Sequence, residues 1–490
     1  MKKLIMTLLA CMMATALTAQ IDKEWQERVR QSMDSARKEY EEFRQLAHKN
    51  YADFRKKANE EYARFMADPW SAFELQPLVP IPVEPKPPQP FKVNPDDKPL
   101  PSKDPIVFDL QPQPDNPYKQ PVPFEPIVPN PSPDIPLNYI TFYGTDLAFH
   151  FDLTYLPKLK DLSEKSVSDF WYELSDDYFD NLVVECLNYR DERNFCDWAY
   201  FLMTRRLANA YFGQTNEAVV LHMYLLVQSG YQTRIALKGD RLHVLMGTED
   251  FVYSYGFVTI DGKHFFVFDK NTGCGSFLIY NHAFPSERMM SFIPKQPKLE
   301  IEKTAPRQMG SKWLKIETNV VLNQNLIDFF NDYPVSRNWT YYSIASLSDM
   351  AKDSLYPAMR KAIAGKSQSE AANILISFVQ FGFKYATDQD QFGYERPLFP
   401  DESLFYPFND CEDRSIFYAC LVRELLGLDV VLLDYPGHLA TAVCFKEKVE
   451  GDYLMLDGKR YVICDPTYIG ADIGMCMPQF ISTTPLVVRF

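Results

Sequence analysis

An α+β architecture, with two tandem helix–sheet units behind a long helix and a proline-rich linker, is predicted by three observations. From Arg414 to Gly427, apolar residues fall at 416, 417, 420, 421, 425 and 426, which is helical spacing. The runs Leu428–Leu433, Leu439–Phe445 and Tyr461–Cys464 that follow are short, apolar and bounded by turn residues, as strands are. The same helix-then-strands order occurs earlier, between Asn216 and Asp269.

Residues 1–19 read as an export leader: Lys2-Lys3, an apolar run, then small residues with a cut expected after Ala19. Leu8-Leu9-Ala10-Cys11 is a loose lipoprotein pattern, but the apolar stretch before Cys11 is short, so ordinary cleavage is favoured over lipidation. No other stretch approaches the ~20 apolar residues of a membrane span. The expected location is the periplasm or cell surface.

Residues 20–75 are expected to form one long helix. Within 36–68 an eleven-residue unit occurs three times, placing Ala36/47/58, Tyr40/51/62 and Phe43/54/65 on one stripe. That period suits a nearly straight, faintly right-handed helix of coiled-coil type. Its partner could be the globular part of the same chain, a second chain or an envelope component; the alternative is a solvated helix with one weakly adhesive side. Residues 76–136 form the linker, and 21 of the 36 prolines lie between 77 and 136. No regular helix or central strand survives that density. As polyproline, at ~3.1 Å per residue, it could span up to roughly 180 Å. Phe91, Val107-Phe108 and Phe124 are apolar enough for parts of it to dock. Ordered structure is expected again from 137, with units over 137–298 and 299–490. Between them Leu299–Val321 reads as strands and Ser343–Phe383 as helix broken at Gly365.

The net charge of −14 disfavours a nucleic-acid partner. Eight cysteines remain after leader removal, a chain this long has no need of disulfide staples, and no CxxC or Cys/His cluster suggests zinc. No metal and no cofactor are expected.

Chemistry concentrates in the second unit. Cys411 stands in Asn409-Asp410-Cys411-Glu412-Asp413-Arg414, at the start of the predicted helix. Asp410 is the expected N-cap and Gly427 the stop. A helix N-terminus stabilises a thiolate; Glu412 and Asp413 oppose this unless they face outward, as expected, with Arg414 offsetting part of their charge. His438 follows 27 residues later at the entry of a strand, and Asp465 another 27 residues on, at the end of the next one. A nucleophile, a base and a carboxylate that fixes the base's tautomer are the requirements of thiol acyl transfer.

At these residues the chain resembles the transglutaminase-like superfamily, the papain-related group with a Cys-His-Asp triad, in its bacterial exported members. Cys411, His438 and Asp465 match its pattern, and 378–397 resembles the segment before its cysteine. The resemblance covers about 340–480. It implies a thioester formed on a peptide or protein amide and resolved by water (peptidase or amidase) or by an amine (transamidase). It also implies an oxyanion hole that includes the Cys411 N–H, with a second donor among Gln380, Tyr385 and Gln391. Some members are non-catalytic scaffolds. Aligning Gly230 with Gly427 places Gln214 where Cys411 sits, and His243 and Asp269, 26 residues apart, echo the spacing of His438 and Asp465, so that unit is expected to be a degenerate copy or an independent helix–sheet unit.

Overall fold

A computed structural model of the chain describes residues 2–82, 107–110, 118–129, 134–269, 272–273, 275–311 and 314–490. The side chains of the expected leader, Phe91, Cys274 and most of the proline-rich stretch lie outside the described residues. The molecule mixes helices and mainly antiparallel sheets, an α+β fold. Among the described residues no helix is long and apolar enough to cross a membrane.

The first helix runs Lys2–Met66. It ends there rather than at 75, because Pro69 cannot continue it, and Ser71–Leu75 is instead an edge strand. Among the described residues, the third repeat and the end of the second find partners within the chain. Tyr62, Ala63 and Met66 are buried, and the Tyr62 ring lies 5.0 Å from Trp171, 4.9 Å from Tyr280 and 5.3 Å from Phe284. Arg55 pairs with Asp180, and Asn59 exchanges amide hydrogen bonds with Gln228. Tyr40, Phe43, Tyr51 and Phe54 of the earlier repeats stay exposed.

Two six-stranded sheets follow. The first is ordered Ser71–Leu75, Gly275–Tyr280, Thr233–Lys238, Arg241–Gly247, Lys263–Val267, Gly256–Ile260. The second is ordered Leu486–Val488, Asp429–Tyr435, His438–Cys444, Lys459–Cys464, Tyr453–Leu456, Val107–Leu110. Leaving out the strands before residue 137, the two share one strand order and one set of antiparallel pairings. A helix precedes each: Asn216–Gln228 in the first, Cys411–Leu421 with a π turn at Val422–Leu426 in the second. Gly427, at φ 62°, ends the second helix in the left-handed conformation expected of it.

The proline-rich stretch is not a free spacer. It lends one edge strand to the second sheet, where Val107–Leu110 runs parallel to Tyr453–Leu456. Edge positions tolerate neighbouring prolines because one side of the strand needs no partner. Residues 118–129 dock on the first unit: the Pro121 carbonyl accepts from buried Arg190 at 3.1 Å, and Phe124 packs against the core. Between the sheets lie a hairpin, Arg307–Ser311 with Ile316–Val320, and helices Asp349–Ile363 and Gln368–Gly382. One apolar core runs from Tyr62 to Ile473 and joins the units.

At Gly230, φ is 90° and a Cβ would stand 2.0 Å from the Val122 carbonyl oxygen, so only glycine lets the proline-rich segment approach. Gly230→Ala is expected to lose about 1–3 kcal/mol. This would be seen as a lower urea midpoint and faster proteolysis within 118–129.

Candidate active site

Cys411 is the first residue of its helix, where backbone N–H groups have no partner inside the helix. The Asp413 carboxylate closes the turn, accepting from Asp410 N at 3.3 Å and from Leu398 N at 2.9 Å. The outward orientation expected of Glu412 and Asp413 is therefore corrected. Both are buried, Asp413 because it caps backbone donors and Glu412 because it turns onto the sulfur. The Cys411 thiol donates to Glu412 Oε2 at 3.0 Å. Arg414 does not offset these charges from solvent. It is buried, donates to the carbonyls of Gln380 (3.3 Å) and Phe383 (3.1 Å), and burial lowers it to about 10 against the pull of Tyr385, Asp410, Asp413 and Cys411.

His438 opens its strand because Pro436-Gly437 makes the tight turn before it, with Tyr435 and His438 paired across the hairpin. Thr441 pairs with Cys464 in the next ladder, which sets Asp465 diagonally across from His438. His438 Nε2 bonds to Asp465 Oδ2 at 2.8 Å. An ionised carboxylate only accepts, so Nε2 carries the proton and Nδ1 is left as the basic nitrogen. Nδ1 is buried with no hydrogen-bond partner. The ring is fixed from the side by Phe480, stacked at 4.9 Å and 5°.

Cys411 and His438 line one cavity of about 40 Å³, with Asp465 behind the imidazole. The structure thus brings the three residues into one place, but the thiol hydrogen lies on Glu412 rather than on Nδ1. For the sulfur to be activated by His438, that hydrogen has to turn.

None of the three expected oxyanion donors lines this cavity. Gln380 Nε2 is spent on the carbonyls of Tyr468 (2.9 Å) and Ala471 (3.0 Å), while its Oε1 accepts from Gly470 N at 3.2 Å. It fastens the loop that carries Asp465. Gln391 exchanges hydrogen bonds with the Phe408 backbone, both at 3.3 Å. Tyr385 lies under the Arg414 guanidinium at 5.4 Å. All three brace the site rather than reach into it. Residues that do reach in went unnoticed in the sequence: Trp339, whose Nε1 bonds Asp434 at 3.0 Å, and Ile81 and Pro82 from the proline-rich stretch. No local pattern marks Trp339 or Asp434. Their place depends on the fold between the units.

Asp388, Asp410 and Asp413 offer carboxylate oxygens close enough together to hold an ion, and so do Asp410 and Glu412 together with the Cys411 sulfur. Asp388 and Asp413 already accept backbone N–H groups, so a capping role accounts for them.

In the first unit, Gln214, His243 and Asp269 also share a cavity, of about 600 Å³. His243 uses its other nitrogen, Nδ1, to bond Asp269 Oδ2 at 2.9 Å. Burial raises the Asp269 carboxyl, but His243 and Arg205 outweigh it and hold it below its ordinary value. Gln214 precedes the helix and gives its carbonyl to Arg241 at 3.0 Å.

Glu412→Gln removes the charge that competes for the thiol hydrogen. It is expected to speed alkylation of Cys411 at pH 7 by about tenfold, one such interaction being worth ~1.4 kcal/mol. Mapping the labelled peptide by mass spectrometry checks this; unchanged or slower labelling contradicts it. In comparison with known proteins, no family model, no curated protein and no solved structure matches this chain, so its function has to be read from the side chains just described.

Proposed function

We propose that this chain is an exported thiol acyl-transferase acting on peptide or protein amide bonds, its centre lying in the second of two transglutaminase-like units. The observation that carries the reading is His438, fixed through Nε2 by Asp465 and left basic at an unpaired Nδ1, in the cavity that Cys411 shares. Cys411 gives its proton to His438 Nδ1 and its sulfur attacks the amide carbon. His438 then hands that proton to the leaving amine as the C–N bond breaks. Water or a second amine resolves the thioester, returning the thiol with an acid or a new amide. Hydrolysis is preferred for an enzyme working in water outside the cytoplasm. The first unit, without a cysteine at 214, serves as a degenerate partner.

A second reading, a non-catalytic peptide-binding or envelope-assembly scaffold, is favoured by one observation: Cys411 is only 2% exposed and its thiol is hydrogen-bonded to a carboxylate. In that case the helical repeats and the proline-rich linker are the working parts, and the globular units are scaffolds that recognise peptide.

Iodoacetamide labelling of Cys411 separates the two. The enzyme reading expects labelling well below pH 8 that is lost in His438→Ala; the scaffold reading expects no dependence on His438. Burial pushes the thiols of Cys420 and Cys476 up to about 12, which limits their background labelling. Profiling against a peptide and amine library is expected to show turnover falling at least about 100-fold in Cys411→Ala and His438→Ala. It should stay unchanged in His243→Ala.

A further inference from the structure

The proline-rich stretch leaves the first sheet along a defined path. Ser71–Leu75 lies in register against Gly275–Tyr280, and Gln76 N donates to the Phe257 carbonyl at 2.7 Å. Three residues on, the Val79 carbonyl accepts from Ser254 N at 2.9 Å. The segment then reaches the second unit, where Ile81 and Pro82 form part of the wall of the cavity that holds Cys411 and His438. That wall is completed by residues such as Val335, joined to the first unit by Tyr253 N at 3.0 Å.

Two features make Pro77–Pro82 an occupant rather than a permanent wall. Prolines at 77, 80 and 82 keep it extended and remove their N–H groups, so it lies in place without a ladder of hydrogen bonds. Leu78 and Val79 remain exposed while Ile81 is turned in and half-buried, as in a strand resting on a groove. Ile81 and Pro82 border the same cavity as the Cys411 side chain.

We propose that residues 77–82 occupy the substrate groove of the Cys411 centre. The groove's partner is then an extended apolar peptide segment containing proline, and the chain carries its own copy of it. This rests on the thiol acyl-transfer reading of the same site. It accounts for a reactive-site cysteine that is almost wholly covered: substrate and strap compete for one place, and the centre opens when the strap lifts.

The test uses the full chain and compares the parent with Ile81→Gly/Pro82→Gly, with circular dichroism and urea unfolding as checks that the variant folds. Iodoacetamide labelling of Cys411 is followed at pH 7 by peptide mapping, with and without a synthetic peptide of residues 77–82. The variant is expected to label at least about tenfold faster than the parent, as for a cover closed nine-tenths of the time. The added peptide should slow the variant again. Equal rates in parent and variant, both lost in His438→Ala, overturn the strap and leave the acyl-transfer reading standing. Slow labelling in both, independent of His438, overturns the two together.

Discussion

A carboxylate with little water around it has to be satisfied by the protein, and the second unit is arranged around one such group. Asp465 accepts from the backbone N–H groups of Thr467 (2.9 Å) and Tyr468 (3.2 Å) on one oxygen and from the His438 imidazole on the other. Both oxygens are engaged, and acceptance from Nε2 is what dictates the imidazole tautomer. Gln380, reaching from the helix Gln368–Gly382, holds the loop beyond Asp465 by its carbonyls. Arg414 ties the Cys411 helix to the end of that same helix. A single helix therefore positions the loop of the acid and the start of the nucleophile helix together.

Much of this was legible because it is local. The Cys411 helix, its Gly427 stop, the Pro436-Gly437 hairpin and the strand that ends at Asp465 each follow from spacing and turn chemistry within some twenty residues. The repeated helix-then-strands sequence was legible too, since the glycine at each helix end and the near-equal His-to-Asp spacing survive.

What stayed hidden depends on packing across the chain. Glu412 was expected to face solvent because acidic residues in a first helical turn commonly do; burial of the entire first turn is a tertiary fact. Gln380 was placed near the site correctly but given the wrong work. Sequence position cannot tell an amide that points at a substrate from one that points at a loop. The edge strand at Val107–Leu110 was hidden because proline density argues against central strands and says nothing of an edge, whereas Ser71–Leu75 was read as the end of the long helix.

The long first helix adds a mechanical dimension. At 65 residues it is about 100 Å long, and Tyr40, Phe43, Tyr51 and Phe54 along it are exposed. Its C-terminal end feeds directly into Ser71–Leu75 and then into the segment that lines the Cys411 cavity. Tension applied to the far end is borne first by the Tyr62 anchorage and then by the ladder with Gly275–Tyr280. Only after those yield does it reach the chain at Ile81, so the anchorage acts as a fuse that shields the cleft from small pulls and transmits large ones.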